Sequence, residues 1–133
     1  MPYEYTVADA DGLIHVTAWG EADLVEIVAL LRQMEADVRV RPGMPALVDA
    51  RNQQFRLAPL SLRQLADLHA ESRAGARRPV AVVCPAGLSY GLGRMLSVFS
   101  EMRGAVLQVF TDHGEAVTWA SSQAPRDSHG QKA

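Results

Sequence analysis

Pro79-Val80-Ala81-Val82-Val83-Cys84 is the most strand-like stretch of the sequence, and its reading decides the fold. It is apolar at every position from Val80 to Cys84 rather than at every second one, which suits a parallel strand covered on both faces and placed mid-sheet. Upstream, Ser61 with Gln64 three residues later reads as the cap of a helix carrying Leu62, Leu65, Ala66 and Leu68, stopped by Gly75. Downstream, Ser89 to Met102 sets Leu92, Met95, Leu96 and Phe99 at helical spacing, with Ser89 as N-cap and Gly91 and Gly93 weakening the first turn. Val106 to Phe110 is a further strand, and Asp112 with Glu115 caps a short last helix through Trp119 and Ala120.

Towards the N-terminus, Ala46-Leu47-Val48-Asp49-Ala50 is a short apolar strand closing on a carboxylate. Before it, Leu24, Ile27, Val28, Leu31 and Met34 recur at three- and four-residue steps, an amphipathic helix capped by Asp23 with Glu26 and ended before Pro42-Gly43. Tyr3 to Ala8 and Leu13 to Trp19 flank Asp9-Ala10-Asp11-Gly12, whose Asp-Gly pair signals a hairpin, with Ile14 and Val16 facing inward. The order is therefore β-β-α-β-α-β-α-β-α: an α/β fold with one mixed, mostly parallel five-stranded sheet and helices packed on it. One domain over residues 1–121 is expected, followed by a polar, frayed tail over 122–133.

Length and composition narrow the function classes. The 133 residues fit one domain with a continuous core, and 48% hydrophobic with 21% charged residues is a globular composition. Thirteen Lys and Arg against fifteen Asp and Glu give a net charge of −2, which supplies no global positive field for nucleic acid. No apolar run approaches the roughly 20 residues of a membrane helix. One cysteine excludes an intrachain disulfide, and the N-terminal residues lack the pattern of a secretory signal, so a cytoplasmic setting is expected.

This pattern resembles the anti-sigma factor antagonist (STAS) superfamily in its SpoIIAA-like branch, whose members share the STAS/SEC14-like α/β fold. The resemblance is carried by the opening hairpin, Arg41-Pro42-Gly43-Met44-Pro45-Ala46-Leu47-Val48-Asp49-Ala50-Arg51, Ser61 to Leu68, Val80 to Val83, Tyr90-Gly91-Leu92-Gly93-Arg94-Met95 and the closing Val109-Phe110-Thr111-Asp112. It implies a non-enzymatic regulatory or interaction module. The antagonists carry an Asp-Ser or Asp-Thr phosphorylation site after the strand that ends here at Asp49. This sequence has no such pair there, and Ser61 is the nearest hydroxyl, a weak phosphosite whose simpler role is a helix cap.

Three further patterns bear on chemistry. Gly87-Leu88-Ser89-Tyr90-Gly91 matches G-x-S-x-G, and Asp112 and His113 follow in the order of a serine hydrolase. The motif stands three residues past the strand, however, and adjacent Asp and His residues cannot easily place a carboxylate behind an imidazole that faces the serine. The match is read as coincidental, with no catalytic residue assigned. The glycines lack a Walker A ending, and His15, His69, His113, His129 and Cys84 are too scattered for a metal site, so no metal or cofactor is expected. Cys84 reads as a small buried hydrophobe, and Arg73, Arg77 and Arg78 as cations completing the second helix.

Two binding surfaces remain. The carboxyl ends of parallel strands collect Asp49, Arg51, Ser89, Tyr90 and Arg94, where the arginines could hold an anionic or lipid-like small ligand at a helix N-terminus; the competing arrangement pairs Asp49 with one arginine. Tyr3, Tyr5, Trp19, Phe55 and Leu57 lie on the hairpin or on a long loop over Arg51 to Leu60, where some must face outward, and the first strand is a candidate open sheet edge. The leading expectation is a non-catalytic module binding an unidentified protein partner or, as a homodimer, a second copy of itself; small-ligand binding is the alternative and a Ser89 hydrolase a remote third.

Overall fold

The computed structural model describes residues 3–21, 23–54, 59–71 and 78–123. Its elements are β1 (Tyr3–Ala8), β2 (Leu13–Glu21), α1 (Leu24–Ala36), β3 (Ala46–Gln54), α2 (Pro59–Glu71), β4 (Val80–Val83), α3 (Leu88–Met102), β5 (Leu107–Phe110) and α4 (His113–Ser122). The strands form one sheet in the order β1-β2-β3-β4-β5, with β1 antiparallel to β2 and the other pairs parallel. Each βα unit steps one strand onward in the same direction, so the handedness rule puts all three crossover helices on one face. The middle strand is thus β3, not the Val80–Val83 strand, which lies next to edge strand β5.

The period-two alternation of the strands sorts their side chains between two layers. Ile14, Val16 and Ala18 on β2, Ala46 and Ala50 on β3, and Leu30 and Met34 of α1 form one buried cluster, which Leu62, Leu65, Ala66 and Leu96 of α2 and α3 continue. On the opposite face Leu13, Leu47, Ala81 and Val83 pack under Ala116 and Ala120 of α4, with the Phe110 and Trp119 rings 5.9 Å apart. Cys84 is buried among these layers, as its neighbours suggest, and burial pushes its thiol pKa up. α4 lies against β3, β4 and β5. Glu4, Thr6, Thr17 and Trp19 on the β1–β2 half of the face it shares stay exposed.

Several boundaries differ from the sequence reading, each for a local reason. β3 runs on through Arg51, Asn52, Gln53 and Gln54, which sequence assigns to a loop, because β2 also continues and pairs Trp19, Gly20 and Glu21 with Asn52, Gln53 and Gln54 beyond a bulge. α2 begins at Pro59, so Ser61 is its third residue and not its cap; proline suits a first helical position because it brings no orphan N–H. In α3 Gly87 holds the N-cap position with φ +97°, which only glycine adopts freely, and Ser89 is the second helical residue without a capping bond. Asp23 and Asp112 do cap: Asp23 accepts from the amides of Val25 and Glu26, and Asp112 from that of Glu115 at 2.9 Å. The Asp23 cap is one-sided, since Glu26 Oε2 finds no partner among the described residues. α4 extends to Ser122, beyond the residues read as the domain's end.

Candidate functional site

At the carboxyl ends of the strands, the arrangement around Asp49 is fixed by strand geometry. Residues two apart on a strand share a face, so the Arg51 side chain folds back along β3 and grips the Asp49 carboxylate in a fork, Nε to Oδ1 at 2.9 Å and Nη2 to Oδ2 at 2.7 Å. The Arg51 amide donates to the same carboxylate at 3.2 Å. These bonds, led by the guanidinium, hold the Asp49 pKa below the usual carboxylate range. Arg51 therefore spends its planar fork within the protein, the arrangement weighed against ligand binding in the sequence. Arg94, one turn past Tyr90 on α3, is exposed and has its Nη1 3.5 Å from the hydroxyl of the partly covered Tyr90. A shallow depression beside them is lined by Arg51, Asn52, Gln54, Pro85, Leu88 and Ser89.

The Asp112 carboxylate is engaged at the start of α4, and no hydrogen bond joins it to His113 among the described residues. No group of three or more metal-ligating side chains occurs among the described residues. No helix of the described residues is long and apolar enough to cross a membrane.

Of the residues expected to face a partner, Tyr3 is 8% exposed and is a core residue: its hydroxyl accepts from Gln53 Nε2 at 2.9 Å, and burial raises its pKa. Tyr5 is partly covered and donates its hydroxyl to Asp37 at 2.7 Å, while Trp19 is 38% exposed. Phe55 and Leu57 lie outside the described residues, as do Arg73 and Arg77. β1 is the sheet edge that its sequence suggests.

Two features escaped the sequence. The first is a stripe of exposed apolar side chains on α3: Leu88, Met95, Val98 and Met102, with Leu88 and Met102 each about two-thirds bare. Together with Gly91 they follow three- and four-residue steps, one seam along the helix. Periodicity alone assigns Met95 to the core, because Leu92, Leu96 and Phe99 form a second stripe beside it and both stripes obey the same period.

The second feature is an apolar cavity of about 160 Å³ between the sheet and α1, α2 and α3. Val16, Val48, Val82, Leu30 and Leu96 are among its walls, and Val48, Val80 and Val82 keep partial exposure although they sit on interior strands. His69, Arg78 and Ser100 line it as well. Arg78 is 5% exposed rather than a solvated helix-end cation; its Nη1 donates to the Met44 carbonyl and, at 3.5 Å, to that of Arg41. Burial lowers its pKa and the nearby Glu35 charge acts the other way. Sequence periodicity cannot reveal such a space, because the same apolar residues would line it or fill it.

This architecture is that of known proteins. An uncharacterised protein of the DUF3478 family with a SpoIIAA-like fold, from Shewanella loihica PV-4, superposes with a TM-score of 0.56 at 19% identity, over 89% of this chain and 91% of the other. An anti-sigma factor antagonist from Mycobacterium paratuberculosis superposes with a TM-score of 0.56 at 22% identity, over 89% and 93%. The chain thus has the SpoIIAA-like fold, as its resemblance implied. No protein-family model matches the chain, and no curated protein matches it in sequence.

Proposed function

We propose that the chain is a non-catalytic, cytoplasmic regulatory module that acts by contacting another protein, and that the outer stripe of α3 is the contact face. The exposed seam of Leu88, Met95, Val98 and Met102 carries this reading, because contiguous apolar surface on a small domain is a mark of an interface. The fold it shares with an anti-sigma factor antagonist supports a regulatory role over an enzymatic one. The occupant favoured by charge is a second copy of the chain. Arg94 and Glu101 flank the seam one heptad apart, both exposed. In an antiparallel helix pair, equivalent flanking positions meet, so Arg94 would face Glu101 of the second copy twice over. Gly91 in the seam would let the helices approach closely.

Native mass spectrometry tests this. A dimer is expected that Arg94→Glu or Glu101→Arg weakens and that the double exchange restores; a wild-type chain that stays monomeric at micromolar concentration would sink the self-pairing.

A second reading places an anionic ligand in the depression beside Asp49, Arg51, Ser89, Tyr90 and Arg94. What favours it is that Arg51 lines the depression together with Leu88 and Ser89 of the first turn of α3, where helix amides favour negative charge. A phosphate on Ser61 would likewise stand in the first turn of α2, on the favourable side of its dipole. Both make this a module whose contacts respond to a small anion or to modification.

A further inference from the structure

The walls of the cavity between the sheet and α1 to α3 contain two polar atoms with no hydrogen-bond partner among the described residues, His69 Nδ1 and Ser100 Oγ. Both residues are more than nine-tenths buried, His69 at 7% exposure and Ser100 at 0%. Each stands two residues before the end of its helix, and the two helix ends lie side by side, since Arg103 after α3 pairs with Asp67 and Glu71 of α2 at 3.2 and 3.3 Å. Both residues thus line the cavity from neighbouring helix ends.

Their chemistry specifies a ligand. His69 Nε2 lies 3.1 Å from the Arg78 carbonyl oxygen, which can only accept, so Nε2 carries the proton and Nδ1 is a bare acceptor. Burial pushes the imidazole pKa down, consistent with this neutral form. A bare acceptor calls for a donor, and a carboxylate or phosphate dianion has none to offer. Nor does Arg78 demand an anion, because its guanidinium donates to two carbonyls and has the Glu35 charge nearby. Ser100, with a proton to give and lone pairs to share, accommodates the other side of a hydroxyl. The volume of about 160 Å³ matches a single aromatic ring, since an apolar cavity of about 150 Å³ accepts benzene. Val48, Val80 and Val82, only partly covered, form part of its apolar wall.

We propose that this cavity is a binding site for a neutral, ring-sized apolar molecule bearing one hydroxyl, which donates to His69 Nδ1 and accepts from Ser100. The inference is independent of the α3 contact and of the anion depression. Titrating the whole chain by two-dimensional NMR with p-cresol, 4-methylanisole, toluene and 4-methylbenzoate tests it. The expected result is saturable binding of p-cresol, at least tenfold tighter than 4-methylanisole, which cannot donate, and than toluene or 4-methylbenzoate. Ser100→Ala and His69→Phe should each weaken p-cresol by severalfold with the spectrum otherwise folded; if His69→Phe does not fold, Ser100→Ala decides. Equal binding of p-cresol and 4-methylanisole, preference for the carboxylate, shifts unaffected by both variants, or no binding because water alone fills the cavity would each overturn the proposal.

Discussion

Arg51 holds Asp49 through two parallel hydrogen bonds and a backbone amide, all within one three-residue stretch of β3. Both side chains are partly solvated, so the pair contributes little to folding. Its larger effect is on binding: while Asp49 is ionised, Arg51 has little left to offer an anion. Asp49→Asn should strengthen the binding of inorganic phosphate at the strand ends, and Arg94→Ala should weaken it, as read from chemical-shift titrations. Identical titrations for all three proteins would remove this depression as an anion site.

Gly91 and Gly93 are two residues apart in α3 and should respond oppositely to alanine. A Cβ on Gly93 would stand 3.0 Å from Val109 Cγ1 and 3.2 Å from Cγ2, closer than packed carbons settle, whereas one on Gly91 meets nothing within 4 Å among the described residues. Gly93→Ala should cost about 1–2 kcal/mol through overpacking, while Gly91→Ala should gain about 0.5–1 kcal/mol in the monomer from helix propensity. Urea unfolding of the two variants gives the signs directly.

His69 gives the protein a pH dependence of definite sign. Its pKa is lowered in the folded state by burial, so between that value and 6.5 the unfolded chain binds the proton that the folded chain refuses. Its contribution to stability is complete above pH 6.5 and is lost as the pH falls from there to the folded pKa, with a slope of at most about 1.4 kcal/mol per pH unit. His69→Gln, whose amide can still donate to the Arg78 carbonyl, should flatten this limb. An unchanged slope would assign it to other groups.

Ser89 should not react as a nucleophile. With Asp112 engaged at the Glu115 amide, folded protein is expected to show no labelling by a fluorophosphonate, and labelling that Ser89→Ala abolishes would reinstate a hydrolase. Asp112→Ala, by contrast, should cost about 1 kcal/mol as a lost helix cap, measured by thermal unfolding.

How much of this was legible in the sequence follows from what each signal reports. The element order and the caps at Asp23 and Asp112 rest on neighbours in sequence, and residue pattern reports neighbours well. Ser61 and Ser89 failed as caps because Pro59 and Gly87 are stronger local determinants of where their helices begin. β3 outran its apolar run because its partner β2 supplied hydrogen bonds to a polar extension, a tertiary effect. Arg51 with Asp49 was visible as an alternative, since a spacing of two on a strand is enough to pair them. Burial of Tyr3 and Arg78 was not visible, because it depends on Gln53 and on the carbonyls of Met44 and Arg41, far away in sequence.

The uneven covering of the sheet implies uneven cooperativity. β3, β4 and β5 carry helices on both faces, whereas on the side of α4 the β1–β2 hairpin shows water Glu4, Thr6, Thr17 and Trp19. Amide protons of β4 should exchange only when the whole domain unfolds, and those between β1 and β2 through a smaller opening that leaves the parallel strands intact. Edge strand β1, hydrogen-bonded in the sheet to β2 alone, is in this sense a separable piece, able to come away while β2 stays in the parallel sheet with the rest of the domain.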